Sequence, residues 1–196
     1  MINKISNLVS LSKLHNYALI CILAMTYPIE SKSMPDVNKA FSDVEFQTTQ
    51  LKSLKLNSFE GKIIVLFFGY THCPDICPTA LLDISKTLKE LGRDAARVQP
   101  IFISVDYKRD KPEILEQYVK FFDERIIGLS SNKLNIDKIS KYFKINYSLL
   151  DSQSENYLVE HSSNLYVIDK DLIVKKIIPN GLPSTEITKA IKKLIN

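Results

Sequence analysis

The reactive side chains that stand out in this sequence are Cys73 and Cys77, in the segment GYTHCPDICP at residues 69–78. Residues four apart lie on the same side of a helical turn, so the two sulfurs can converge on one metal ion or on each other. A helix N-terminus favours the thiolate form, which metal binding and disulfide exchange both require. We therefore predict a redox-active pair that can also bind metal; the alternative is a pair of inert buried cysteines.

A third ligand would have to come from the three histidines of the chain. His15 lies in an apolar N-terminal stretch and is assigned to a targeting segment. His72 adjoins Cys73, but consecutive residues of an extended segment point to opposite sides, so it is expected to be a structural or outer-shell residue. His161 remains, in a polar interruption between two β-like runs that suggests a hairpin or a loop feeding a strand. A histidine in such a place is either a metal ligand or a surface or capping residue.

The chemistry of these donors limits the metals that they can hold. Two thiolates and an imidazole form a soft set that suits Cu(I), can hold Cu(II) and would also accept zinc. No further Cys or His is available to complete a closed structural zinc site. Ligand chemistry alone does not choose between copper and zinc, and the absence of further donors argues only against a closed zinc site.

The pattern of apolar residues predicts the elements that position these side chains. Residues 62–69 form a continuous apolar run, short enough for a strand that is buried on both faces. The other predicted elements are helix 77–91, strand 98–105, a helix that begins at Pro112, helix 135–143, strands 158–168 and 172–178, and helix 184–195. This order predicts an α/β fold of the thioredoxin-like type, with a mixed central β-sheet and helices on both faces.

Two acidic residues near the predicted site have open roles. Asp75 lies between the cysteines, where it can cap the following helix or tune the thiolates, and capping is the favoured interpretation. Asp106 ends a predicted strand at the edge of the sheet where such folds place their sites, as either a turn residue or a site residue.

Composition excludes some functions. The chain of 196 residues has a net charge of +4 with scattered lysines, so nothing predicts a nucleic-acid partner. With only five glycines it has little from which to build a phosphate-binding loop. Its length suits one folded domain, which we place at residues 36–196.

The first 35 residues are predicted to be a signal or membrane-anchor segment with a linker. Lys4 and Lys13 precede an uncharged apolar stretch at residues 14–29, which also contains Cys21. This stretch lies between the length of an export signal and that of a membrane span. The order of charges predicts that the rest of the protein lies outside the cytoplasm. A buried amphipathic helix is the alternative.

Taken together, these segments resemble the Sco/SenC (PrrC) family, copper-binding proteins that help to build the copper centre of cytochrome c oxidase. The matching segments are FFGYTHCPDICP at 67–78, PIFISVD at 100–106, RD at 109–110, IGL at 127–129 and YLVEHS at 157–162. The resemblance extends from about residue 61 to the C-terminus. Two departures are Glu160, where the family usually has Asp, and Tyr107, where it commonly has Pro.

The resemblance implies a thioredoxin-like domain whose metal ligands are Cys73, Cys77 and His161 and whose cofactor is copper, as Cu(I), Cu(II) or both. It implies a membrane-tethered or exported protein that faces the periplasm or the mitochondrial intermembrane space, with the copper-binding subunit of cytochrome c oxidase as its partner. The sequence does not identify a copper donor protein.

Two functions agree with this site. The first is a metallochaperone that binds one copper ion and assists assembly of the CuA centre. The second is a thiol-disulfide oxidoreductase that reduces the cysteines of the oxidase copper subunit or of other exported proteins. The extra residue between the cysteines and the presence of His161 favour copper, and one protein can perform both tasks. A peroxidase related to peroxiredoxins agrees less well with this cysteine spacing.

Overall fold

The computed structural model describes residues 37–151, 153–154 and 156–195. Seven strands lie within these residues: β1 Ile63–Gly69, β2 Val98–Ser104, β3 Ile127–Leu129, β4 Tyr147–Leu150, β5 Leu158–His161, β6 Leu165–Ile168 and β7 Val174–Ile178. The α-helices of the same residues are α1 Asn38–Asp43, α2 Ile76–Leu91, α3 Pro112–Phe122, α4 Lys133–Phe143 and α5 Ser184–Ile195. Short 3-10 helices occupy Leu56–Phe59 and Gly92–Arg97.

The central sheet is mixed, with strand order β3-β2-β1-β6-β7. Strands β1, β2 and β3 are parallel, whereas β6 is antiparallel to β1 and β7 is antiparallel to β6. Strands β4 and β5 form a separate two-stranded antiparallel sheet. The predicted thioredoxin-like α/β fold with a mixed central sheet is therefore confirmed.

Strand β1 is the central strand of the sheet, and all seven of its residues are buried. Successive side chains point to opposite faces. The ring of Phe68 packs against Phe143 of α4, with 5.2 Å between the ring centroids. On the other face, Phe67 packs against Phe102, which in turn contacts Tyr118 of α3. Helices thus cover both faces of the sheet, as predicted.

The helix predictions agree with the structure to within a few residues. Helix α2 begins at Ile76, one residue before the predicted start, and α3 begins at Pro112 as predicted. Helix α4 begins earlier than predicted because the side chain of Asn132 caps it, accepting a hydrogen bond of 3.0 Å from the amide of Asn135. Helix α5 begins at Ser184, as its N-terminal residues predict.

Residues 158–168 do not form the single strand that was predicted, whereas the predicted polar interruption between two β-like runs is confirmed. This stretch forms two strands, β5 and β6, that belong to different sheets. The chain leaves β5 at Ser162, whose amide donates to the carbonyl of Asn146 at 2.9 Å and whose hydroxyl accepts from the Asn146 amide at 3.0 Å. Polar side chains at 162–164 therefore separate the strand that carries His161 from the central sheet.

Residues 1–35, which contain Lys4, Lys13, His15 and Cys21, lie outside the described residues. The predicted boundary at residue 36 stays a prediction. Among residues 37–151, 153–154 and 156–195, no helix combines the length and the hydropathy that crossing a bilayer requires.

Candidate metal centre

The two cysteines occupy the connection between β1 and α2. Cys77 lies in the first turn of α2 and is fully buried, whereas Cys73 lies in the preceding loop and is half-buried. Both thiols are free. Gly69 makes room for the buried sulfur, because a Cβ at this position would stand 2.6 Å from Cys77 Sγ. The end of the central strand thus packs directly against the sulfur of Cys77.

The sulfur of Cys73 also takes part in the start of α2. The amide of Cys77 donates to Cys73 Sγ at 3.4 Å, which satisfies one of the free amides of the first turn. The side chain of Asp75 makes no capping hydrogen bond, although Asp75 occupies the N-cap position. The prediction that Asp75 caps the helix with its carboxylate was therefore wrong, and the exposed carboxylate leaves this amide to a cysteine sulfur.

His161 reaches the same place from the second sheet. It is the last residue of β5, and its Nε2 lies 3.6 Å from Cys77 Sγ. Its Nδ1 lies 3.0 Å from the carbonyl oxygen of Ser162, an acceptor that requires a proton on Nδ1. The lone pair of the neutral ring is therefore on Nε2, the nitrogen that faces the sulfur. The rings of Phe67 and Tyr70 contact His161 edge to face.

The ligand atoms of Cys73, Cys77 and His161 all lie within 4.8 Å of one another. No other group of three or more His, Cys, Asp or Glu side chains in the described residues could hold a metal ion. Two sulfurs and one neutral imidazole nitrogen suit a soft ion that accepts low coordination, such as Cu(I). The donor set therefore fits copper.

The cysteine thiols have different acidities. A hydrogen bond from the Cys77 thiol is the largest influence that lowers the pKa of Cys73 to about 4, against the opposing effect of burial. The same hydrogen bond, together with burial, raises the pKa of Cys77. In the metal-free protein, Cys73 therefore carries the thiolate and Cys77 carries the shared proton.

A buried carboxylate holds the loop that carries Cys73. Asp110 accepts hydrogen bonds from the amide of Thr71 at 2.9 Å, from the Thr71 hydroxyl at 2.6 Å and from Ser104 Oγ at 2.6 Å. Burial raises the pKa of Asp110, while the three donated hydrogen bonds oppose that rise. Because Thr71 lies two residues before Cys73, this carboxylate positions the cysteine loop.

A second buried carboxylate holds the strand that carries His161. Asp106 Oδ1 accepts a hydrogen bond of 2.5 Å from the hydroxyl of Tyr157, the residue just before β5. Asp106 Oδ2 pairs with Arg109 Nε at 2.6 Å, and the Arg109 guanidinium stacks 3.5 Å from the centroid of the Tyr157 ring. Asp106 also accepts from the amide of Arg109, so the turn forms with Tyr107 in place of proline. Asp106 therefore acts both as a turn residue and as a support for the site.

Sequence reasoning assigned no role to Asp110 or Tyr157. A signal for both was present, because each lies in a segment that resembles the Sco/SenC family. His72 lies outside the group of three, with an exposed ring whose Nδ1 is 3.0 Å from Thr71 Oγ1. Glu160 is exposed on the outer face of β5. His15 and Cys21 lie in the part of the chain that the structure does not describe.

Comparison with known proteins places the chain in a family. The SCO1/SenC family model matches residues 31–196. An SCO2-like protein of Rickettsia prowazekii is 38% identical over 117 residues, which cover 59% of this chain and 57% of that protein. The chain thus spans a little over half the length of the first curated relatives that it matches.

Solved structures agree with this match. The structure of Bradyrhizobium japonicum ScoI with copper bound is 32% identical, with a TM-score of 0.70 over 77% of this chain and 96% of that one. The structure of BsSco, described as a member of the Sco family of cytochrome c oxidase assembly proteins that has a disulfide switch, is 25% identical. Its TM-score is 0.60, over 76% of this chain and 90% of that one. On the family match, the cysteine pair and the shared thioredoxin-like fold, the chain belongs to the SCO1/SenC family.

Proposed function

We propose that this protein binds one copper ion with Cys73, Cys77 and His161 and assists assembly of the CuA centre of cytochrome c oxidase. The observation that carries the proposal is the convergence of three soft ligand atoms within 4.8 Å. His161 joins the two cysteines from a separate sheet, although 84 residues separate it from Cys77. A fold that brings three such side chains together supports a binding function.

The relatives support copper rather than zinc. ScoI of Bradyrhizobium japonicum was solved with copper bound, and BsSco is a member of a family of oxidase assembly proteins. A closed structural zinc site has four protein ligands, whereas this group offers three. An open, low-coordinate sulfur site is suited to taking up and releasing Cu(I). The copper-binding subunit of the oxidase is the partner that this proposal requires.

The proposed location is outside the cytoplasm, in the periplasm or the intermembrane space. The order of charges around the apolar stretch at residues 14–29 supports export or a membrane tether, with residues 36–196 as the copper-binding domain. Assembly of an oxidase copper centre at the outer side of the membrane requires a domain on that side.

A Cu(I) titration of the full 196-residue chain tests ligation. The reduced wild-type protein is expected to bind one copper ion, and Cys73→Ser or Cys77→Ser is expected to abolish tight binding, because two donors are too few. His161→Ala should weaken binding less, because a neutral nitrogen contributes less than a thiolate. Cys21→Ser is the matched control and should bind as the wild type does. Retention of full affinity by either site mutant would place the copper elsewhere.

A second function, thiol-disulfide exchange, is supported by the unequal cysteines. Cys73 is half-buried with a lowered pKa, so its thiolate can attack a substrate disulfide and release one substrate thiolate. Buried Cys77 would then pass its proton to the released substrate thiolate and attack the mixed disulfide, which frees the second substrate thiolate and leaves a Cys73–Cys77 disulfide. The same sulfurs cannot hold copper in that oxidised state.

Mixing reduced protein with an oxidised peptide tests this second function. Reduction of the peptide with formation of the internal disulfide is the expected result, and Cys77→Ser should accumulate a mixed disulfide at Cys73. Oxidised protein should bind no Cu(I) until a reductant restores both thiols. Full copper binding by protein that carries the Cys73–Cys77 disulfide would overturn the shared site.

A further inference from the structure

The three ligands of the proposed site come from two different sheets. Strand β1, which leads into the cysteine loop, belongs to the central sheet, whereas β5, which carries His161, belongs to the two-stranded sheet. The distance of 3.6 Å between His161 Nε2 and Cys77 Sγ is therefore not set by the pairing of these two strands. It depends on the contacts that join β5 to the end of β1.

The backbone of Tyr70 belongs to the cysteine side of the site. The Cys73 amide donates to the Tyr70 carbonyl at 3.4 Å, which closes the turn between β1 and the first cysteine. The residue before Tyr70 is Gly69, where a Cβ would stand 2.6 Å from Cys77 Sγ. The main chain at 69–70 is thus connected to both cysteines.

The side chain of Tyr70 contacts the histidine side of the site. The rings of Tyr70 and His161 meet edge to face, with 5.7 Å between their centroids and an interplanar angle of 86°. This is a favoured geometry for two aromatic rings. Tyr70 is only 2% exposed, so close packing holds its ring in one orientation. A fixed ring in this place restricts where the imidazole can lie.

The hydroxyl of Tyr70 has a partner on β5. The Ser162 amide bonds to the Asn146 carbonyl, and bonded and non-bonded pairs alternate along an antiparallel ladder. Val159 therefore falls in a non-bonded pair, and its amide points away from β4. Burial raises the pKa of Tyr70, and a hydrogen bond from the backbone of Val159 opposes that rise. The hydroxyl is thus bonded to β5 two residues before His161.

We propose that Tyr70 is a positioning residue that joins β5 to the cysteine loop and holds His161 Nε2 against Cys77 Sγ. This inference rests on the proposed copper-binding function. Tyr70 donates no ligand to the metal, and its effect on copper passes through His161. Without the Tyr70 ring, copper should stay on the two sulfurs alone, because soft thiolates still select Cu(I).

Competitive Cu(I) titration of the full, reduced chain measures the contribution of Tyr70. Tyr70→Leu should lower the affinity by about tenfold, which corresponds to about 1.4 kcal/mol. Tyr70→Phe keeps the ring and should recover most of that affinity, to within about threefold of the wild type. Tyr166→Leu is the matched control, because Tyr166 is also 2% exposed and also packs edge to face against its neighbours. It should bind copper as the wild type does.

A double-mutant cycle with His161→Ala shows whether the effect passes through the histidine. In the His161→Ala background, Tyr70→Leu should cause no further loss of affinity, because the ligand that it positions is already absent. If Tyr70→Leu does not fold, the same cycle with Tyr70→Phe should show its smaller loss disappear in that background. X-ray absorption of the Cu(I)-loaded chain should find two sulfurs and one nitrogen in the wild type and two sulfurs in Tyr70→Leu.

The outcomes separate this inference from the function on which it rests. An equal loss of affinity from the Tyr70 variant with and without His161 would make Tyr70 a general support of the fold and overturn the positioning role. Wild-type affinity with a nitrogen ligand in Tyr70→Leu would overturn it as well. Both results would leave copper binding by Cys73, Cys77 and His161 intact. Failure of the wild-type chain to bind Cu(I) would overturn both proposals.

Discussion

Gly69 lies so close to the sulfur of Cys77 that residue 69 has room for no side chain larger than a hydrogen atom. A Cβ at Gly69 would stand 2.6 Å from Cys77 Sγ and 2.8 Å from Cε2 of Phe102. The backbone at Gly69 is paired with Ser104 of β2, and its carbonyl accepts a hydrogen bond of 2.9 Å from the amide of Val105, so it cannot shift easily. The sulfur, rather than the strand, must therefore move if a side chain is added.

Gly69→Ala is accordingly expected to weaken copper binding more than it weakens the fold. Overpacking should lower the free energy of unfolding by about 1–3 kcal/mol, and displacement of the sulfur should lower Cu(I) affinity by at least about tenfold. Urea unfolding and competitive Cu(I) titration measure the two effects separately. Wild-type affinity in a destabilised variant would show that the sulfur does not depend on Gly69.

Tyr157→Phe should disturb His161 without removing a ligand. The Tyr157 hydroxyl donates to Asp106 Oδ1 and so joins that carboxylate to the residue just before the strand that carries His161. Its loss should destabilise the fold by about 1 kcal/mol and lower copper affinity by about tenfold. The measurements are urea unfolding and competitive Cu(I) titration.

Tyr166→Phe is a matched control for this variant. It also removes a buried phenol hydrogen bond, that to the carbonyl of Phe143 at 3.1 Å, which lies on the face of the sheet opposite Cys77. If both variants lose similar stability but only Tyr157→Phe loses copper affinity, the result would support a role of Tyr157 in positioning His161. Equal losses of affinity in both variants would contradict it.

Alkylation should distinguish the two cysteines of the metal-free protein. Cys73 has a lowered pKa of about 4 and is half-buried, whereas the pKa of the fully buried Cys77 is raised. Because a thiolate persists above its pKa, the rate at Cys73 should stay constant as the pH falls from 8 to about 5 and should drop only near pH 4. Iodoacetamide labelling followed by peptide mass spectrometry measures both sites.

The urea-unfolded chain provides the reference for that experiment. In the unfolded chain, both cysteines should have the usual thiol pKa. Their alkylation rates should therefore already fall as the pH drops below about 8. Preferential labelling of Cys77 in the folded protein, or a steep fall at Cys73 between pH 8 and 6, would contradict the assigned charge distribution.

A reporter fusion tests the predicted location. Residues 1–60 joined to a reporter that is active only outside the cytoplasm should give a membrane-associated or exported, active product, because Lys4 and Lys13 precede the apolar stretch. Replacement of both lysines by glutamate should reduce that activity. A silent reporter in the soluble cytoplasmic fraction would refute export.

The sequence by itself determined the local elements around the cysteines. The apolar run at 62–69 predicted β1, and helical spacing after Cys77 predicted α2 and with it two sulfurs at a helix start. These features depend on residues only a few positions apart, so periodicity and turn chemistry are enough to find them. The family resemblance, rather than spacing, singled out His161.

Only the tertiary structure decided how distant segments meet. It placed His161 3.6 Å from the Cys77 sulfur, divided residues 158–168 between two sheets and joined Asp106 to Tyr157 across 51 residues. No local pattern specifies such contacts, because they depend on how whole strands and helices pack. The capping role predicted for Asp75 failed for a local reason instead, because the sulfur of Cys73, two residues earlier, accepts the hydrogen bond from the Cys77 amide.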